Sequence, residues 1–108
     1  KKMASMDMEE RYRLIMSTIF RALGFRVEVE RMLATGRIDM IVEVPSFIYV
    51  LELKLSNNGG ISAAENQIKD KSYTEPFKAD KRKVIALAVE LDETGKGLID
   101  WKEVDESL

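Results

Sequence analysis

Residues 37–55, RIDMIVEVPSFIYVLELKL, decide the fold. They hold two runs rich in Ile, Val, Leu and Tyr, residues 37–44 and 47–55, joined across Pro45 and Ser46. Such runs read as strands, and the short Pro-containing junction makes them a hairpin. Both runs are almost continuously apolar, which predicts a sheet covered on both faces. The residues that interrupt them are therefore informative. If Val44 pairs with Phe47, Asp39 falls opposite Glu52. Directly opposed residues of an antiparallel pair have Cβ atoms about 4.5–5.5 Å apart on one face. Strand alternation puts Lys54 on the same face as Glu52.

Outward from the hairpin, residues 25–33 alternate Phe25, Val27 and Val29 against Arg26, Glu28 and Glu30, a half-buried strand, and Ala34, Thr35 and Gly36 make the turn. Before it, Met8, Tyr12, Ile15, Ile19 and Leu23 recur at helical spacing, which predicts a helix over 8–23 capped by Asp7 and ended by Gly24. After the hairpin comes a polar loop at 56–60. Ser62 then caps a predicted helix over 63–75, with Glu65 completing a capping box and Pro76 as the stop. Residues 83–90 form another buried strand, and 98–104 a last short strand or turn carrying Trp101, read as a core or lid aromatic. The order α-β-β-β-α-β predicts one α/β domain over 1–108, a central mixed sheet flanked by two helices. The chain opens on Lys1 and Lys2, so it reads as a fragment of a longer protein.

The 108 residues contain no cysteine and no histidine. Thiolate chemistry, disulfides, serine–histidine catalysis and histidine metal sites are excluded. Chemistry must run on carboxylates, Lys, Arg, hydroxyls and Tyr. No apolar run is long enough to span a membrane and no signal peptide is visible, so no membrane partner and a cytoplasmic location are the expectation. The net charge of -2 is low for a nucleic-acid binder, so such contact needs a local patch or a partner domain.

Two opposed carboxylates repel, and burying them is costly unless something compensates. A divalent cation, Mg²⁺ or Mn²⁺, is one compensation, because carboxylates, backbone carbonyls and water suit both ions. The competing reading is an ion-pair network in which Lys54 partners the acids.

Arg37-Ile38-Asp39 followed by Glu52-Leu53-Lys54 resembles the D…(D/E)xK signature of the PD-(D/E)XK nuclease superfamily. The stretches ERYRLIMSTIFRALGF, GRIDMIVE, YVLELKL, QIKDKSY and the strand at 83–89 are similar, in order, to a bacterial family of that superfamily. In that family the nuclease-like domain commonly follows an AAA-ATPase-like domain. The resemblance implies a restriction-endonuclease-like core and metal-dependent hydrolysis of a phosphodiester, with DNA as the expected substrate. It implies Asp39, Glu52 and the Leu53 carbonyl as metal ligands and Lys54 as the catalytic lysine. From the first helix it implies a further carboxylate, Glu10, with Glu9 the next match. Gln67 and Tyr73 resemble the Q…Y element that faces the site, at longer spacing than its tight form. Ile38 stands where the signature often has Pro.

The alternative is a non-catalytic nuclease-fold module attached to an ATPase. The presence of Asp39, Glu52 and Lys54 favours the enzyme; the acidic net charge favours the module. A homodimer is compatible with either. Arg37, next to Asp39, could contact phosphate but reads first as a surface strand arginine; the basic residues between Lys69 and Lys83 could meet a nucleic-acid backbone but, diluted by Asp70, Glu75 and Asp80, read first as a solvated face.

Overall fold

The computed structural model describes residues 7–105. Helix α1 (Met8–Ala22) leads into strands β1 (Arg26–Leu33), β2 (Gly36–Glu43) and β3 (Phe47–Leu55). A 3-10 turn (Ser56–Asn58), helix α2 (Gly60–Lys71), a second 3-10 turn (Glu75–Phe77), β4 (Lys83–Leu91) and β5 (Leu98–Val104) complete the chain. The sheet runs β1-β2-β3-β4-β5. Every neighbouring pair is antiparallel except β3 and β4, which are parallel and joined through α2. A parallel pair needs such a crossover, since a hairpin cannot reverse direction twice. The sheet is therefore mixed and α/β, as the sequence predicts, with β5 an antiparallel edge.

The hairpin register follows the expectation: Met40 pairs with Leu51, Ile41 with Val50, Val42 with Tyr49 and Glu43 with Ile48. Both faces of the central strands are covered. On one, Ile48, Val50, Ala86 and Ala88 pack with Ala64 and Ile68 of α2 and with Tyr73. On the other, Met40, Val42, Leu51, Leu53 and Val89 pack with Met8, Tyr12, Met16 and Phe20 of α1.

The face of α1 needs correcting. Ile15, Ile19 and Leu23 are more than half exposed, and the inward stripe is Met8, Tyr12, Met16 and Phe20. Both stripes have helical spacing, so periodicity alone does not choose between them. Tyr12 is common to both; its hydroxyl donates to the Asp92 carbonyl and accepts the Gly97 N–H, which ties α1 to the β4–β5 loop. Asp7 and Glu10 form the capping box at the start of the helix.

Helix α2 also departs from expectation. It starts at Gly60, before Ser62, and no side chain of its own caps it. Ser62 is a helix residue, and Glu65 pairs with Lys69 and Lys102. The cap comes from another element. Glu90 of β4 accepts the Ile61 N–H at 3.0 Å and the Ser56 hydroxyl at 2.6 Å. A carboxylate from a neighbouring strand thus does the work expected of a local serine, beside the positive end of the helix dipole. Gly60 is part of the arrangement: its φ is 58°, and a Cβ there would stand 2.7 Å from a Glu90 oxygen. The helix closes at Ser72, in the left-handed region with φ of 51°, not at Pro76. Trp101 is 59% exposed on β5 and is not part of the core.

Glu90→Ala should cost about 1–2 kcal/mol, the usual magnitude of a lost N-terminal cap, and so lower the melting temperature by roughly 4–8 °C per kcal/mol. Ser62→Ala should stay within about 0.5 kcal/mol of wild type. Thermal denaturation of both variants checks the assignment, and equal losses would return the cap to Ser62.

Candidate active site

At Asp39 the regularity of β2 fails in three ways. The β2–β3 ladder stops at Met40–Leu51, one step short of the Asp39–Glu52 pair. The β1–β2 ladder passes from Val29–Met40 to Arg31–Ile38 and skips Glu30 and Asp39. Ile38 packs in the α2-side cluster while Met40 packs on the α1 side, although a regular strand would put both on one face. Asp39 replaces the lost backbone pairing with its side chain. Its Oδ2 accepts the Leu53 N–H at 2.9 Å, while its Oδ1 lies 3.5 Å from the Arg37 guanidinium.

Glu52 stands on the far side of this fork. Asp39 and Glu52 are buried, at 2% and 1% exposure. The nearest cation to Glu52 is Lys54, with Nζ 3.8 Å from Oε2, and Oε1 is buried with no hydrogen-bond partner. An ion pair that long does not offset burial of the charge. Burial, and next the Asp39 charge, raise the Glu52 carboxyl from its ordinary 4.5 to about 8; Lys54 and the Tyr73 hydroxyl pull it partly back.

The first helix brings Glu9, not Glu10, towards these groups. Glu10 is spent on the capping box, its Oε1 accepting the Asp7 N–H at 3.2 Å. Glu9 is half-buried one turn before the buried Arg13. Its carboxyl is raised by burial and then by the charge of Asp39, against opposing pulls from Lys54 and Arg13. The sequence held this signal: Glu9, Arg13 and Ser17 are spaced by four and lie beside the true inward stripe. Taking Ile15, Ile19 and Leu23 as the core face hid it.

Gln67 and Tyr73 come together despite their spacing. Gln67 Nε2 donates to the Tyr73 hydroxyl at 3.0 Å, and that hydroxyl donates to the Arg37 carbonyl. Tyr73 is fully buried beside Glu52. Burial chiefly, and the acids after it, raise its pKa and keep it a neutral donor. Leu53 offers its N–H to Asp39, and its side chain lies in the α1-side core.

Among the described residues, no cluster of three Asp, Glu, His or Cys side chains forms a ready cage for a metal ion. The donor set is the Asp39–Glu52 pair, with Glu52 Oε1 unsatisfied. Two buried acids with an unpartnered oxygen fit a divalent cation that completes its shell with backbone carbonyls and water.

Residues 7–101 match the PD-(D/E)XK nuclease superfamily. The chain belongs to that superfamily. Its five-stranded mixed sheet with flanking helices is the restriction-endonuclease-like fold. It is also 31% identical over 97 residues to an uncharacterized protein in the vnfD 5' region of Azotobacter chroococcum mcd 1. That match covers 90% of this chain but 18% of the relative, so the chain spans under a fifth of the relative's length. No solved structure matches. No helix among the described residues is long and apolar enough to cross a membrane.

The raised Glu52 pKa makes a stability prediction whose sign is fixed. Below 4.5 the carboxyl is protonated in both folded and unfolded chains. Between 4.5 and about 8 the unfolded chain ionises and the folded one resists, so stability falls as pH rises through that window. Glu52→Gln should therefore stabilise the metal-free protein most at pH 9, less at pH 7 and little at pH 4.5. Urea denaturation at the three pH values measures it; a gain independent of pH would mean that Glu52 is not held protonated.

Proposed function

We propose that the domain is a metal-dependent nuclease that hydrolyses a phosphodiester of nucleic acid, with DNA the expected substrate. The observation that carries this reading is the unpartnered buried oxygen of Glu52 beside Asp39, with Lys54 Nζ 3.8 Å from the same carboxylate. Folding alone gives no reason to keep a buried acid in that state, because one apolar substitution would remove the cost. Asp39 and Glu52 are the side chains to hold Mg²⁺ or Mn²⁺, with the Leu53 carbonyl beside them. Glu9 takes the first-helix place that the sequence resemblance gave to Glu10. Bound there, the cation would neutralise charge on the phosphate and make water more acidic.

The remaining work falls to the chain. The Leu53 N–H fixes one Asp39 oxygen, and the other keeps only a 3.5 Å contact to Arg37. Lys54 is partly exposed and loosely paired, so its ammonium is available to orient the attacking water or to meet developing negative charge. Gln67 and Tyr73 anchor the Arg37 carbonyl two residues before Asp39 and so hold the fork in shape. The net charge of -2 gives the isolated domain little pull on a polyanion. Nucleic-acid affinity in this reading comes from the rest of a longer protein, of which these residues are one domain and an AAA-ATPase-like domain the expected neighbour.

The test is Mn²⁺-dependent cleavage of circular and linear DNA by the full-length protein, alongside metal-induced thermal shifts of the domain. Lys54→Ala should abolish cleavage and keep the thermal shift, since the lysine is no ligand. Asp39→Asn should lose both. Glu9→Gln should weaken the metal shift and Glu10→Gln should leave it intact. Wild-type full-length protein that neither cleaves nor gains stability with metal would favour a non-catalytic module.

A further inference from the structure

Opposite Asp39, in the middle of β1, Glu30 adopts a left-handed backbone with φ of 55°. It is not a turn residue: Val29 and Arg31 on either side are paired in the ladder. A non-glycine residue held there is strained and persists only where its surroundings fix it. Two arginines do so here. Arg37 Nη1 lies 3.0 Å from Glu30 Oε2, and Arg13 Nη2 lies 3.4 Å from the same oxygen. Arg37 also reaches Asp39 through Nη2, at 3.5 Å. A continuous series of charged groups thus runs from α1 through β1 to the candidate metal carboxylate.

The two arginines are differently placed. Arg13 is 7% exposed and its Nη1 is buried without a hydrogen-bond partner. Leaving a buried guanidinium nitrogen unsatisfied is costly, so its position needs a reason beyond packing. Arg37 has 41% of its side chain exposed and only a long contact to Asp39. Glu30 and Asp39 together balance the two guanidinium groups in the free protein, so a cation taken up by Asp39 and Glu52 would leave the arginines in excess. An anion would settle that excess, and a planar guanidinium suits phosphate oxygens, which it can grip with two donors.

We propose that Arg37 is a phosphate-binding residue of this site, and that Glu30 and Arg13 are the positioning residues that aim it. Arg13 anchors Glu30 from beneath, and Glu30, in its strained conformation, holds Nη1 of Arg37. The rest of the Arg37 guanidinium then faces the phosphate of a chain lying across the Asp39–Glu52 fork. This rests on the nuclease reading for its substrate, but the anion site can be tested apart from cleavage.

The probe is inorganic phosphate, titrated at matched ionic strength against chloride in buffered Mg²⁺, followed by thermal shift and by the arginine side-chain Nε–H NMR signals. Wild type should be stabilised by phosphate, with the Arg37 signal moving. Arg37→Gln should lose the response, Arg37→Lys should keep part of it, and Glu30→Gln and Arg13→Met should weaken it. Glu30→Gly guards against misfolding as the explanation. It relieves the backbone strain that Glu30→Gln keeps, so it should melt higher than Glu30→Gln in chloride and still respond as weakly to phosphate. In parallel cleavage assays, Arg37→Gln should reduce kcat/KM and lower the salt dependence of DNA binding by about one counterion. A phosphate response unchanged in Arg37→Gln, or absent from wild type, overturns the proposal even if the protein cuts DNA. An Arg37-dependent response in a protein that cuts nothing keeps the anion site and removes the nuclease reading.

Discussion

One hydrogen bond governs the geometry of the site, from the Leu53 N–H to the Asp39 carboxylate. A buried backbone donor in a central strand must find an acceptor. Across the rest of the hairpin that acceptor is the neighbouring strand's carbonyl. At Leu53 it is a side chain, so β2 no longer has to stay at ladder distance from β3. The sheet opens there, and the opening leaves Glu52 buried beside the gap without a backbone neighbour to satisfy Oε1. A charge-assisted bond of this kind contributes about 1.5–3 kcal/mol, enough to hold the fork against the loss of ladder bonds. Asparagine at position 39 would keep the acceptor but lose the charge that raises Glu52.

The electrostatic balance around the fork follows from what each group can reach. Asp39 has a backbone N–H and an arginine within reach. Glu52 has only a lysine at 3.8 Å and a buried tyrosine, and its burial outweighs both. Two acids in one site are thereby made unlike: Asp39 is fixed by a backbone N–H and an arginine, while Glu52 holds a proton until a stronger partner displaces it. The same separation of roles lets neighbouring carboxylates bind a cation without both having to be charged in its absence.

Most of the fold could be read from the sequence because it rests on local pattern. The near-continuous apolar runs of β2 and β3 set strand type, register and two-sided coverage, and the family resemblance placed Asp39, Glu52, Lys54, Gln67 and Tyr73 in the region that the structure brings together. What could not be read was decided by partners distant in sequence. Helix α2 begins at Gly60 because Glu90, on another strand, supplies its cap. Helix α1 is fixed about its axis by Tyr12, whose hydroxyl donates to the Asp92 carbonyl and accepts the Gly97 N–H. With that rotation, Glu9 rather than Glu10 faces the acids. Arg37 read more readily as a surface arginine than as a phosphate contact because nothing in a strand of alternating charges announces a left-handed residue at Glu30.

The departures from regular structure are unevenly distributed. The end of the sheet near Val42, Val44, Tyr49 and Leu87 is lined by apolar side chains that, with Phe20 and Phe25, form a groove of about 490 Å³ with no acid or base among its lining residues. At the other end lie the broken ladder at Asp39, the strained Glu30, the unsatisfied Glu52 oxygen and the unsatisfied Arg13 nitrogen. Each of these lowers stability, and each could be removed by a small substitution. Chance placement would scatter them. Their concentration within one network, from Arg13 through Glu30, Arg37 and Asp39 to Glu52, means that the regular part of the sheet supports a locally unfavourable arrangement. A site that takes up a cation and an anion, as proposed for this network, would have this property: the costs would stand in the free protein and be relieved together when both charges arrive.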